Sequence, residues 1–253
     1  MEPDAGLRDI LQRVSAGDMT AQDAEKEICS RSAGHVGSIA TLDLGRQARC
    51  GIPEVILAEG KDPDHLSAIA AEYARRAGRC VITSLDPGKA ARLSEEAAKI
   101  GIGCEYSREG QVMVLAGGPL PTRTRGVVGI ITAGTSDIRV AEEARVIAEE
   151  MGCLVRTAFD VGVAGLHRLF PVLTGMSDCH AFVVAAGREG TLPAVVAGLV
   201  DKPVIGVPVS TGYGYMGKGE AALASMLQSC SVLTVVNIDA GFVAGAFAAR
   251  IAV

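Results

Sequence analysis

The chain has 253 residues, a formal net charge of −5, 49% hydrophobic and 21% charged residues, no Trp and only 4% aromatic residues. That length allows one large domain or two small ones with a sizeable core built from Ala, Val, Leu and Ile, and the acidic balance argues against a general nucleic-acid binder. The seven cysteines (29, 50, 80, 104, 153, 179 and 230) include no CxxC pair, no run reaches the ~20 apolar residues of a membrane span, and the N-terminus lacks an apolar leader core, so a disulfide scaffold, a zinc ribbon and a membrane protein are disfavoured and a reducing cytoplasm is the expected setting.

Residues 1–30 read as helical, with Leu7, Ile10, Leu11 and Val14 at helical spacing. Val55–Ala58, Val81–Thr83 and Gly110–Leu115 are strand candidates, and the stretch around Tyr73 reads as helix. The Gly/Pro cluster at 117–121 marks the best boundary, dividing a smaller α/β domain (1–120) from a second domain (125–253).

From 127 onward strands and helices alternate. The strands are Val127–Ile131, Cys153–Ala158, Ala181–Ala185, Val204–Val207 and Val232–Val236, with helices over Val140–Met151, from about Gly165, and over Leu192–Leu199. This alternation specifies a three-layer, doubly wound parallel sheet, whose ligands bind at the carboxyl ends of the strands. The loops there therefore deserve the closest reading.

After the first strand, Ser136 and Asp137 suit a phosphate at a helix start, or simply a capped turn. After the second, Asp160 stands where a carboxylate meets a ribose or a cation, with His167 and Arg168 side by side; a lone His is as readily a packed residue. After the third, Gly187 and Glu189 precede a helix, where an acid either favours the N-terminus or handles a proton. After the fourth, Gly212, Gly214 and Gly217 form a literal GxGxxG, with Asp239 near the distance of a ribose-binding acid. Four residues separate this stretch from its strand, so it reads as a phosphate or lid loop and not a dinucleotide fingerprint. Cys230 falls at a helix end before the last strand; most such cysteines are inert core residues, and spacing does not settle its role.

Taken together, TAGTSD, AGLHR and AAGREGTLPAVVAGLVDKPVIGVPV resemble the N5-carboxyaminoimidazole ribonucleotide mutase and aminoimidazole ribonucleotide carboxylase (PurE) family over roughly 125–250. Two features depart from it: the first 120 residues, and the segment from Leu227 to Phe242 around Cys230. Both, with Leu42-Asp-Leu44, Arg46, Arg49, Gly51–Val55 and Glu59-Gly-Lys61, resemble the pyridinium-3,5-biscarboxylic acid mononucleotide synthase (LarB) family.

That resemblance implies carboxylation of the pyridinium ring of nicotinic acid adenine dinucleotide at C5 by CO2, with hydrolysis to AMP, at the start of nickel-pincer nucleotide synthesis. It implies Cys230 as a nucleophile and Glu189 as a proton- or water-handling acid. Ser136, Asp137, Asp160, His167, Arg168, Gly187, Gly212 and Gly214 would bind the substrate. It further implies no organic cofactor, Mg2+ as a conceivable aid to hydrolysis with no ligand set fixed, and a homo-oligomer, an octamer on the C-terminal domains. No nucleic acid or membrane partner is expected. Two other readings stand beside this one: an aminoimidazole ribonucleotide carboxylase or mutase with an added domain, and a non-catalytic nucleotide-binding protein.

Overall fold

The computed structural model describes residues 5–119 and 121–253; Leu120, inside the expected boundary cluster, lies outside them. Two helices open the chain, α1 (Ala5–Ala16) and α2 (Ala21–Ser32). They are divided at Gly17, whose φ of 82° a side chain rarely adopts, and Thr20 caps the second by accepting the Asp23 N–H at 3.1 Å. The stretch expected to be helical over 1–30 forms two helices within the described residues, and residues 1–4 of it lie outside them. A hairpin of β1 (Ala33–Val36) and β2 (Ala40–Asp43) follows, then α3 (Arg46–Cys50).

Strands β3 (Val55–Leu57), β4 (Arg79–Thr83), β5 (Gly103–Ser107) and β6 (Val112–Ala116) make a sheet in the order β3-β4-β6-β5, with helices α4 (Pro63–Ala77) and α5 (Pro87–Lys99) between its strands. The start of α4 is strongly specified. Asp62 accepts the N–H groups of Asp64 and His65, and Pro63 pre-sets the first turn. Its apolar face then buries Leu66, Ile69, Ala70 and Tyr73.

Contact grouping gives two compact units. The first is Met1–Ile82 with Gly88–Glu105 and Val114–Pro119; the second is Thr83–Pro87 and Tyr106–Met113 with Leu120–Val253.

The C-terminal half of the second unit carries β7 (Val127–Thr132), α6 (Ile138–Glu150), β8 (Leu154–Ala158), α7 (Leu169–Gly175), β9 (Ala181–Ala186), α8 (Leu192–Ala197), β10 (Val204–Pro208), α9 (Glu220–Leu227), β11 (Thr234–Val235) and α10 (Gly241–Ile251). Its five strands are parallel, in the order β11-β10-β9-β7-β8. This is the doubly wound sheet expected, with its topological switch between β7 and β9. Every residue of β9 and β10 is buried, which is why these strands read as unbroken apolar runs. Phe182, Ile131, Val184, Leu169 and Leu192 anchor the core on one face of the sheet.

On the other face α10 lies against α6 at unusually short range. A Cβ at Gly241 would come within 2.3 Å of the Val140 carbonyl oxygen, and one at Gly245 within 2.3 Å of that of Ala144. Glycine at these two positions is therefore a packing requirement.

Glu143 of α6 lies beneath this contact. It accepts the N–H of Phe242 and the Thr83 hydroxyl, and Arg139 favours its charge, yet burial outweighs them and pushes its carboxyl above the ordinary range; Asp239 adds to the rise. The folded protein then holds this proton more tightly than the unfolded chain does. The associated stability is present below the unfolded carboxyl pKa and is lost as pH rises through the raised folded value. Glu143→Gln keeps an acceptor and removes the ionisation. Its unfolding midpoint is expected to exceed the parent's at about pH 8 and to converge with it near pH 4, as thermal melts across that range would show.

Candidate functional site

A cavity of about 250 Å³ opens at the carboxyl edge of the parallel sheet. The loops after β7, β8, β9 and β10 all contribute to it, the place where the switch in strand order leaves a crevice. Of the residues singled out from sequence, Ser136, Asp137, Gly187, Glu189 and Gly212 line it.

Asp137 is its buried acid, with 3% of its surface exposed. Its carboxylate accepts the Gly134 N–H at 2.9 Å and the Thr211 hydroxyl at 3.4 Å, and bonds Ser136 and the Gly187 N–H as well. Burial is the larger influence and raises the carboxyl above its usual range despite these donors. Asp137 thus ties together three of the four loops, those after β7, β9 and β10.

The β10 loop is fixed from below by Asp239, which the sequence offers only as a near match to a ribose-binding acid in a fingerprint that fits poorly. Asp239, in left-handed backbone at φ 57°, accepts the Ser210 N–H at 2.9 Å and its hydroxyl at 2.5 Å, and pairs with Arg139 at 3.2 Å. It is a clamp on the glycine-rich loop and does not line the cavity. Above the clamp, Gly212 packs on the neighbouring loop so closely that a Cβ there would meet the Arg188 nitrogen at 2.7 Å. Gly214 sits in the open part of this loop at φ 93° and does not line the cavity.

Asp160, His167 and Arg168 also lie outside the cavity lining. Asp160, at φ 60°, donates its N–H to the Thr132 hydroxyl and pairs with Arg168 at 2.9 Å; both side chains are substantially exposed. His167 is exposed on the 3-10 segment Val163–Arg168 beside the cavity wall formed by Gly162, Val163 and Ala164. Residues not singled out from sequence, Thr211, Arg188 and Tyr213, prove to belong to the site. Their partners lie 25 and 74 residues away, so no local pattern marks them.

Cys230 is separated from the cavity. The helix before it ends at Leu227, short of the expected helix end at Cys230. Register then decides where the thiol lies: Thr234 pairs beside Ile205 near the amino end of β10, and Cys230 precedes Thr234 by four residues. Ser231 lies by Gly198 at the far end of α8. The thiol is thus at the amino edge of the sheet, on the order of 15–20 Å from the cavity of its own chain at ~3.3 Å per strand residue.

Cys230 is nevertheless the exposed thiol of the C-terminal half. Cys153 and Cys179 are buried, and burial pushes both up, Cys179 to about 11, which keeps them protonated. Exposed apolar side chains flank Cys230, with Leu227 66% and Val232 95% accessible. A second cavity, of about 480 Å³, lies between Phe170 and Leu199.

Among the described residues no group of three or more His, Cys, Asp or Glu side chains is placed to hold a metal ion. No helix is long and apolar enough to cross a membrane among those described.

Comparison with known proteins bears on both halves. The profile of the AIR carboxylase family matches residues 127–253, and that of the LarB/PurE-like N-terminal domain matches 34–117. An uncharacterized protein of Methanocaldococcus jannaschii is 40% identical over 252 residues, covering 97% of this chain and 96% of its own length. An N5-carboxyaminoimidazole ribonucleotide mutase of the same organism is 37% identical over 120 residues, which is 46% of this chain and 71% of that one. One from Thermotoga maritima is 34% identical over 90 residues, 33% of this chain and 50% of that one.

Proposed function

The chain belongs to the LarB family, in which a PurE-like carboxylase domain follows a LarB/PurE-like N-terminal domain, and on that premise we propose that it carboxylates C5 of the pyridinium ring of nicotinic acid adenine dinucleotide and hydrolyses the diphosphate. The products are pyridinium-3,5-biscarboxylic acid mononucleotide and AMP, the opening of nickel-pincer nucleotide synthesis. A carboxylase-type enzyme of the PurE/LarB kind is common ground. The match of residues 34–117 carries the choice of a pyridinium substrate, because the C-terminal half by itself resembles the purine enzymes equally well.

The chemistry demands a thiol. A pyridinium ring is electron-poor and C5 does not attack CO2 unaided. Addition of the Cys230 thiolate to C4 moves a ring electron pair onto N1 and leaves a neutral dihydropyridine, an enamine nucleophilic at C5. C5 then bonds the carbon of CO2, and the C5 proton passes to Glu189, directly or through water. The N1 electron pair expels the thiolate from C4 and the aromatic ring returns. One ring hydrogen has been replaced by a carboxylate and one proton released. Aminoimidazole is already an enamine, which is why the purine reaction needs no such group.

In this reading Ser136 and Asp137 hold phosphate and ribose, Gly187 and Gly212 allow close approach of backbone to substrate inside the cavity, and Gly214 does so beyond it. Asp160, His167 and Arg168 meet the parts of the dinucleotide beyond the cavity, which takes a ring and a ribose but is small for the whole molecule. Cys230, at the opposite sheet edge of its own chain, is supplied to each cavity by a neighbouring copy, consistent with an octamer joined through the apolar surface around Leu227 and Val232.

Incubating the protein with nicotinic acid adenine dinucleotide and labelled bicarbonate tests the reading. Mass spectrometry is expected to find labelled dicarboxylated mononucleotide and AMP in equal amounts. Folded protein that yields neither removes it. The mutase relatives favour one rival, and turnover of carboxyaminoimidazole ribonucleotide in place of the pyridinium substrate would establish it.

A further inference from the structure

The cavity carries an unbalanced set of charges. Two acids line it, Asp137 and Glu189, and among its lining residues Arg188 is the one base. A substrate bearing a ring carboxylate and phosphates brings more negative charge into this space, and the countercharge has to come from somewhere. Arg188 makes no ion pair with a carboxylate among the described residues, unlike Arg139, Arg156 and Arg168, each of which does. Its guanidinium instead lies over the Tyr213 ring, 4.7 Å from the centroid, and donates from one terminal nitrogen to the Tyr213 hydroxyl at 2.9 Å. A guanidinium has five N–H donors in a planar fork, so one bond to a phenol leaves an edge for two parallel bonds to a carboxylate.

The backbone holds this arm in place. Arg188 has φ 37°, in the left-handed region that L residues other than Asn, Asp and Gly seldom occupy, and Gly212 closes against its nitrogen. The arm therefore projects from a fixed point between the β9 and β10 loops, next in sequence to the acid proposed to work at the ring.

We propose that Arg188 is the specificity-determining residue that reads the carboxylate on the substrate's ring, so that the site takes a pyridine carboxylate and discriminates against the corresponding amide. This rests on the pyridinium reading given above. In the reading above the phosphates go to the loop after β7, at Ser136, which leaves the guanidinium for the ring.

Titration calorimetry of the intact protein, without bicarbonate, compares two dinucleotides that differ only at the ring substituent: nicotinic acid adenine dinucleotide and its amide, NAD. The parent is expected to favour the acid by tens of fold, the scale of a charge-assisted bidentate bond against a neutral one. Arg188→Met keeps the length of the arm and removes its charge; it is expected to lower acid affinity to the amide level and change amide affinity by less than about threefold. Arg188→Lys is expected to retain part of the preference. Equal binding of the two ligands by the parent would overturn the assignment. So would an Arg188→Met variant, folded by its melting midpoint, that loses affinity for both ligands alike, since that result places the guanidinium at a phosphate. Binding of neither ligand by the parent would instead overturn the pyridinium reading, and this assignment with it.

Discussion

Replacing Cys230 by alanine is expected to lower carboxylation of the pyridinium ring by at least on the order of 10³-fold while leaving the melting midpoint unchanged, since the reaction loses the group that makes C5 nucleophilic and the exposed thiol contributes nothing to the core. Serine in its place should do no better, because an alkoxide is a far less accessible nucleophile and a poorer leaving group.

The placement of Cys230 at the amino edge makes a second, sharper expectation. Glu189→Gln disables the cavity and Cys230→Ala disables the thiol, so each protein alone is inactive. If each site combines the cavity of one copy with the thiol of another, random co-assembly pairs an intact cavity with an intact thiol in about a quarter of sites. Mixed after dissociation and reassembly, the two variants should regain about that fraction of the parental rate. A Cys230→Ala protein that still carboxylates removes the thiol from the mechanism. Mixed assemblies, verified by mass, that stay inactive would return the thiol to its own chain's cavity and require the 228–233 segment to rearrange.

Gly245→Ala provides the largest stability effect, and two physical arguments oppose each other over its sign. Intrinsic propensity favours alanine over glycine within a helix by about 1 kcal/mol. Packing opposes it, because the new methyl would stand 2.3 Å from the Ala144 carbonyl oxygen and 2.8 Å from its Cα, backbone atoms that cannot rotate away. The helices must separate, and overpacking of this kind costs about 1–3 kcal/mol or more. Packing wins. A net loss of about 2 kcal/mol would lower the melting midpoint by roughly 4–8 °C in a unit of this size, and Gly245→Val should lower it further. Gly175, at the end of α7 with open space around its position, is the control: alanine there should leave the midpoint unchanged or slightly raised. A midpoint raised by Gly245→Ala would show that α10 does not sit on α6 as closely as described.

The parallel sheet was legible because strands buried on both faces leave long apolar runs, as β9 and β10 do. The strands that escaped notice are those with little to bury. β5 is Gly-Cys-Glu-Tyr-Ser at the edge of its sheet, and the β1–β2 hairpin has one buried residue in each strand. Helix α5 is legible from its amphipathic pattern, with Ala90, Leu93 and Ala97 buried.

Strand-end position is what brings Ser136, Asp137, Gly187, Glu189 and Gly212 to the cavity lining. The clamp role of Asp239 has no local signature, because its partners, Ser210 and Arg139, are 29 and 100 residues away. Cys230 reads from the sequence as preceding the last strand, which in an α/β repeat is the amino edge, and family likeness does not say which copy's cavity it serves.

The close seat of α10 on α6 also bears on how the polypeptide is made. Residues near the chain's last turn hold the entry to the parallel sheet: Arg125 donates to the Ala249 carbonyl, and the Gly126 N–H to that of Ala252. Strand β7 and helix α6 emerge from the ribosome some ninety residues or more before the segment that seals them. Until residue 252 has been synthesised, β7 and α6 expose the surface that α10 will cover, and the nascent chain is at its most vulnerable to misassociation and to proteases in that interval.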